Sequence, residues 1–134
     1  MLSRRAEELL TIRGVSDAVA FFTDLFTQCD LNLETLWIVH LDGQGHCLYA
    51  SRHDGDQCGT SFPLKTIILD AAAHDTTNIV LAHNHPSGDP TPSYSDCRVT
   101  RRLAIAAEAL DIKIADHIVF ARGGHRSFRE LGLL

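Results

Sequence analysis

The apolar positions of this 134-residue chain change period along its length, and each change marks a different element. Between Ala18 and Phe26 they recur at helical spacing, with Ser16 placed to cap the first turn. Leu36-Trp37-Ile38-Val39-His40-Leu41 is a run of branched and aromatic residues that predicts a buried strand. Asp42-Gly43-Gln44-Gly45 supplies turn chemistry, and His46-Cys47-Leu48-Tyr49-Ala50 reads as the returning strand of a hairpin. Pro63 suits the first turn of a helix through Ile67, Ile68 and Ala71-Ala72-Ala73. Asn78-Ile79-Val80-Leu81-Ala82 is a short apolar run suited to a central strand. The remaining pattern predicts a helix over 94–110, a strand pair around 112–121 and a turn at Gly123-Gly124. Strands and helices interleave, which predicts a mixed α/β domain with sheet and helices packed together.

Composition narrows this picture. At 45% hydrophobic and 22% charged residues the chain is ordinary for one globular domain, and intrinsic disorder is excluded. No apolar run approaches the roughly 20 residues that span a bilayer. Glu7 and Glu8 stand where a signal peptide needs an apolar stretch, so a soluble cytoplasmic protein without a membrane partner is expected. The net charge of −5 hides an asymmetry: residues 1–96 carry 5 basic and 13 acidic side chains, and residues 97–134 carry 7 and 4. A basic footprint over the whole chain is absent. Cys29, Cys47, Cys58 and Cys97 have no CxxC spacing and are expected as buried reduced thiols. Histidine, present eight times, is the unusual count.

One segment, His83-Asn84-His85-Pro86-Ser87-Gly88-Asp89-Pro90-Thr91-Pro92-Ser93-Tyr94-Ser95-Asp96, stands apart. His83 and His85 are two positions apart at a strand end, so both imidazoles project from one face. Pro86 keeps the strand from continuing as a central one, and Gly88, Pro90 and Pro92 force a tight connection. From Ser93 a helix begins, on which Asp96, Val99, Leu103, Ala106 and Leu110 form one stripe, with Asp96 at the top of the core-facing side. Two imidazoles and a carboxylate therefore converge. That is a catalytic zinc set, with the fourth tetrahedral position left to a water whose pKa falls to about 7. Read alone, Ser93-x-x-Asp96 is close to a capping box, and a single His-x-His is usually structural or exposed. Their coincidence across a constrained loop is what points to a metal. The string His-Asn-His is no nuclease signature, because the nucleases known by those letters spread them over a longer ββ-metal unit.

His83-x-His85-Pro86-Ser87-Gly88 followed by Pro92-Ser93-x-x-Asp96 resembles the JAMM motif of the MPN metalloprotease fold. The wider resemblance, over roughly residues 30–134, is to bacterial RadC-like proteins. It takes in Leu41-Asp42, Gly59-Thr60, Leu81 through Ser87, Asp116-His117-Ile118-Val119 and Ser127-Phe128-Arg129-Glu130-Leu131-Gly132. The resemblance implies a mixed α+β fold of MPN/JAB, cytidine-deaminase-like architecture, with a central mixed sheet and flanking helices. It divides the chain into a helical lead-in over 1–29 and the metal-binding domain over 30–134, a short form without the N-terminal helix-hairpin-helix region of longer relatives. His83, His85 and Asp96 become ligands of Zn2+, and Ser93 the group that hydrogen-bonds substrate or the developing oxyanion. Glu34 through Asp42 resembles the family's Glu-x-Phe-x-x-x-x-Leu-Asp strand, which makes Glu34 the group that deprotonates the metal-bound water. Leu64 departs from the family's Pro-Arg pair, since it follows Pro63 where an arginine is common.

The expected activity is zinc-dependent hydrolysis of peptide or isopeptide bonds, with a peptide or protein as substrate. A second reading, of a different class, is a non-catalytic MPN scaffold or a DNA-repair accessory module. Arg98, Arg101 and Arg102 would then face nucleic acid, although a solvated helix face is their default reading. Phosphoester hydrolysis ranks third, for want of a phosphate-binding glycine loop. Asp116 and His117 are weaker candidates, as outer hydrogen-bond partners of the ligands. His40, His46, His53, His74 and His125 lack metal-like spacing, and Cys97 lies about 100° round the helix from Asp96.

Overall fold

Alternation along the strands divides the apolar residues between the two faces of one sheet. The computed structural model describes residues 10–55 and 62–134. The N-terminal acids Glu7 and Glu8, together with Cys58 and Gly59-Thr60, lie outside the described residues. The five strands are β1 (Thr35–Leu41), β2 (Cys47–Asp54), β3 (Asn78–Asn84), β4 (Lys113–Ala121) and β5 (Gly124–Ser127), in the order β2-β1-β3-β4-β5. β3 runs antiparallel to β1 and parallel to β4, so the sheet is mixed. β3 lies at its centre, covered on both sides, which is why Asn78–Ala82 reads as a continuous apolar run rather than an alternating one.

On one face Val39, Val80, Ala82 and Ile118 pack against Ala18, Phe22 and Phe26 of α1 (Val15–Phe26). On the other, Ile38, Ile79, Leu81 and Ile114 pack against Ile67 and Ala71 of α2 (Leu64–Ala73) and Leu103 and Ala107 of α3 (Tyr94–Glu108). The result is helix, sheet and two helices in three layers, the mixed α/β arrangement that the periodicity predicts. No helix among the described residues is long and apolar enough to cross a membrane. Cys29 and Cys97 are free thiols.

Four details differ from expectation, each for a local reason. The N-cap of α1 is Gly14, not Ser16, because the Asp17 carboxylate, inside the first turn, accepts the Arg13 N–H at 3.1 Å. β2 continues past Ala50 to Asp54, since β1 offers it a partner as far back as Thr35. The pair expected around 112–121 is a single strand, β4, whose antiparallel partner β5 follows the turn at Arg122-Gly123. On α3 the buried stripe runs through Thr100, Leu103 and Ala107, and Leu110 lies beyond the helix end, half exposed.

His40 is fully buried on β1, with Nδ1 3.1 Å from Thr76 Oγ1. Burial holds its pKa down at about 4, against an ordinary value of 6.5. Between those values the unfolded chain binds the proton and the folded chain does not, so stability is complete above about pH 6.5 and falls as pH drops towards 4. Urea unfolding midpoints are therefore expected to decline from pH 7 to pH 4.5 less steeply in His40→Leu than in the unaltered chain. Equal slopes would mean that His40 does not contribute to the acid limb.

Candidate metal centre

The pleat of β3 turns His83 towards α2 and α3 and Asn84 towards α1. Beyond the strand, the His85 N–H donates to the Phe120 carbonyl at 2.8 Å, which holds the start of the loop against β4. Gly88 then turns the chain at φ +92°, a conformation in which other residues are strained. α3 opens with a complete capping box. Its Asp96 N–H donates to Ser93 Oγ at 3.0 Å, and the Ser93 N–H donates to Asp96 Oδ2 at 2.9 Å. The same carboxylate reaches the histidines, with Oδ2 2.9 Å from His85 Nε2 and Oδ1 3.4 Å from His83 Nε2. Capping and convergence on the imidazoles are therefore two uses of one side chain.

The two Nε2 atoms are 3.0 Å apart. A tetrahedral centre with bonds of 2.0–2.1 Å separates its ligand atoms by about 3.3 Å, so the donor spacing suits zinc. The outer nitrogens are also committed. His85 Nδ1 is 2.8 Å from the Asp89 carbonyl, which can only accept, so Nδ1 carries a proton; Nε2, which faces Asp96 at 2.9 Å, would become a ligand atom on losing its own proton. His83 Nδ1 is 2.7 Å from His117 Nε2, and His117 Nδ1 is 2.7 Å from Thr100 Oγ1. Burial pushes the His117 imidazole well below its ordinary pKa, so it stays neutral, with one donor and one acceptor nitrogen. When His83 donates into this chain, its Nε2 is left as a ligand atom. Burial alone would raise the Asp96 pKa, but hydrogen bonds from His83 and His85 outweigh it and hold the carboxyl well below the usual range. The hydrogen bond to Asp96 in turn raises His85.

Glu34 stands just ahead of β1, half exposed, with Oε1 4.0 Å from His83 Nε2. Ligand atoms of Glu34, His83 and His85 lie within 4.8 Å of one another, a group able to hold a metal ion. Ser93 shares an open cleft with Glu34 and His85. Its Oγ accepts from Asp96, which leaves the O–H to donate. Of the two outer candidates, His117 touches the site directly. Asp116 does not: its carboxylate accepts from Ser127 Oγ and from the His117 and Arg129 N–H groups, tying down the C-terminal turn. A one-residue register shift in β4, opposite Ile79 and Val80, brings His117 onto the same face as His83. Nothing in the residue pattern announces that shift.

Two further features escape sequence reasoning. Asn84 sends its side chain away from the histidines and hydrogen-bonds the backbone on both sides of Glu34. A cavity of about 100 Å³ beside Glu34 and His83 is lined by Leu36, Phe62, Pro63 and Val99, which come from three separate parts of the chain. Leu64, the departure from the family pattern, is the first residue of α2 and packs, partly buried, against the core rather than lining this cavity.

A family profile described as RadC-like JAB domain matches residues 12–133, so it includes α1 as well as the sheet. The chain is similar to UPF0758 proteins. It is 32% identical to that of Chloroflexus aurantiacus over 98% of this chain and 58% of the relative. With that of Flavobacterium johnsoniae the identity is 28% over 97% of this chain and 58% of the relative. With that of Symbiobacterium thermophilum it is 57% over 56 residues, 42% of this chain and 24% of the relative. The chain thus spans less than two thirds of the length of these relatives. The capped carboxylate, the two imidazoles and the glutamate ahead of β1 sit within the matched span, and the chain belongs to the RadC-like JAB domain family.

Proposed function

We propose that this domain is a zinc-dependent hydrolase of peptide or isopeptide bonds. The observation that carries the reading is the convergence of His83 Nε2, His85 Nε2 and the Asp96 carboxylate within 3.4 Å, with Glu34 Oε1 4.0 Å from His83. Bound zinc supplies a Lewis acid that makes hydroxide available near neutral pH and polarises a carbonyl. His83, His85 and Asp96 hold it. Glu34 takes the proton of the attacking water at a carboxylate oxygen and returns it to the leaving nitrogen. The Ser93 O–H donates to the carbonyl oxygen as negative charge develops there. His117 and the Asp89 carbonyl keep the imidazoles oriented. The apolar cavity favours a peptide over a phosphoester, because it offers room for an aliphatic side chain beside the scissile bond.

The second reading draws on Arg98, Arg101 and Arg102, all exposed on α3. A nucleic-acid accessory role would appear as DNA binding whose affinity falls steeply with salt and is lost when the three are replaced by serine.

Protein purified without chelator, or titrated with zinc, is expected to hold about one equivalent per chain. Glu34→Gln should keep the metal and lose roughly 10²- to 10⁴-fold in hydrolysis across a panel of peptides and isopeptides. Absence of zinc binding would end the proposal. Filling the cavity with Val99→Phe should lower cleavage of peptides with leucine next to the scissile bond roughly tenfold, at unchanged zinc content. Unchanged cleavage would remove the cavity from the substrate path.

A further inference from the structure

We propose that Asn84 is the positioning residue for Glu34, an inference that rests on the reading of Glu34 as the proton acceptor. Glu34 lies one residue ahead of β1, and the first β1–β3 register pair is Leu36 with His83, so the ladder does not hold it. On the β3 side its segment is held by a side chain instead, while on the β2 side Thr35 pairs with Asp54. Asn84 is 1% exposed, and its Oδ1 accepts the Thr35 N–H at 2.8 Å. Its Nδ2 donates to the carbonyls of Leu33 at 2.9 Å and Leu31 at 3.3 Å. One amide thus grips the chain immediately before and immediately after Glu34. The Gly55 N–H donates to the Glu34 carbonyl at 3.0 Å, and Arg122 Nη2 reaches Asn32 Oδ1 at 2.8 Å, which completes the clasp.

The residue type follows from the task. The site needs an acceptor for one N–H and two donors for two carbonyls at the same end of a short side chain, and asparagine has all three. Aspartate would keep the acceptor and set a charged oxygen against the carbonyls of Leu31 and Leu33. Serine is too short to bridge them. Because Asn84 lies between the two histidines, one strand end sets both the imidazoles and the carboxylate 4.0 Å from His83 Nε2. The Asn84 side-chain bonds go to the Glu34 segment and those of the imidazoles go to His117 and the Asp89 carbonyl, so the expected effect of altering that side chain is on turnover and not on metal content.

The test uses the zinc-loaded full chain as wild type, Asn84→Ser, Asn84→Asp, Glu34→Gln and the Asn84→Ser/Glu34→Gln double variant. Amide exchange at Leu33 to Thr35 is followed by NMR, zinc content by elemental analysis, and kcat and KM on a peptide with leucine beside the scissile bond. Asn84→Ser should exchange at least tenfold faster at the Thr35 amide, the one that donates to Asn84, and both Asn84 variants should keep about one zinc. Their kcat should fall roughly 10- to 100-fold at unchanged KM, and Asn84→Ser should lower turnover no further in the Glu34→Gln background. A wild-type Thr35 exchange rate in Asn84→Ser, loss of zinc, or an equal additional loss in the double variant would each overturn the inference while leaving the role of Glu34 intact. Full activity in Glu34→Gln would overturn the assignment of Glu34 and the inference with it.

Discussion

The Asp96 carboxylate is shared between a helix terminus and two imidazoles, and the arrangement of the site depends on that sharing. Oδ2 accepts the Ser93 N–H at 2.9 Å and stands 2.9 Å from His85 Nε2, while Oδ1 faces His83. The first turn of α3 is thereby registered against the end of β3. Position favours the charged form in two ways: the free N–H groups of a helix N-terminus attract an anion, and the adjacent imidazoles donate to it. Without those partners, burial would drive this carboxyl towards its neutral form, which neither caps as well nor binds a cation.

From that point outward the site is organised by the two-residue period of a strand. In β3 the period gives Ile79, Leu81 and His83 to the two-helix face and Val80, Ala82 and Asn84 to the α1 face. The apolar members bind the layers together, and the polar members at the strand end serve the site from opposite sides. β4 needs one extra residue to bring His117 into the same row, and its register shift supplies it. Once there, His117 is too deeply buried to charge, which suits a group that links His83 to Thr100 through one donor and one acceptor nitrogen. Core packing and ligand orientation share the same side chains, with Phe128 stacked on the His117 ring at 4.7 Å.

Much of this was legible in the residue pattern, and the exceptions have physical causes. The hairpin, the central strand and α3 follow from local chemistry: turn residues at 42–45, an unbroken apolar run at 78–82, and a capping serine ahead of a helical period. The meeting of His83, His85 and Asp96 was readable because strand pleat, loop length and helix start are all local. Glu34 was a weaker signal, since its approach to His83 depends on strand pairing across 49 residues. Asn84 was unreadable as a clasp, because an asparagine between two histidines does not reveal which backbone its amide will meet. The α3 stripe was predicted slightly rotated, at Val99 and Ala106 instead of Thr100 and Ala107, because a buried threonine bonded to His117 does not look apolar.

The central claim is that two imidazoles and a carboxylate, with no thiolate, make a zinc site at the junction of β3 and α3. Zinc K-edge X-ray absorption on the zinc-loaded chain tests it most directly. The account predicts a first shell of nitrogen and oxygen only, at about 2.0–2.1 Å, with outer scattering from two imidazole rings. A sulfur shell near 2.3 Å, or a shell without imidazole scattering, would contradict it.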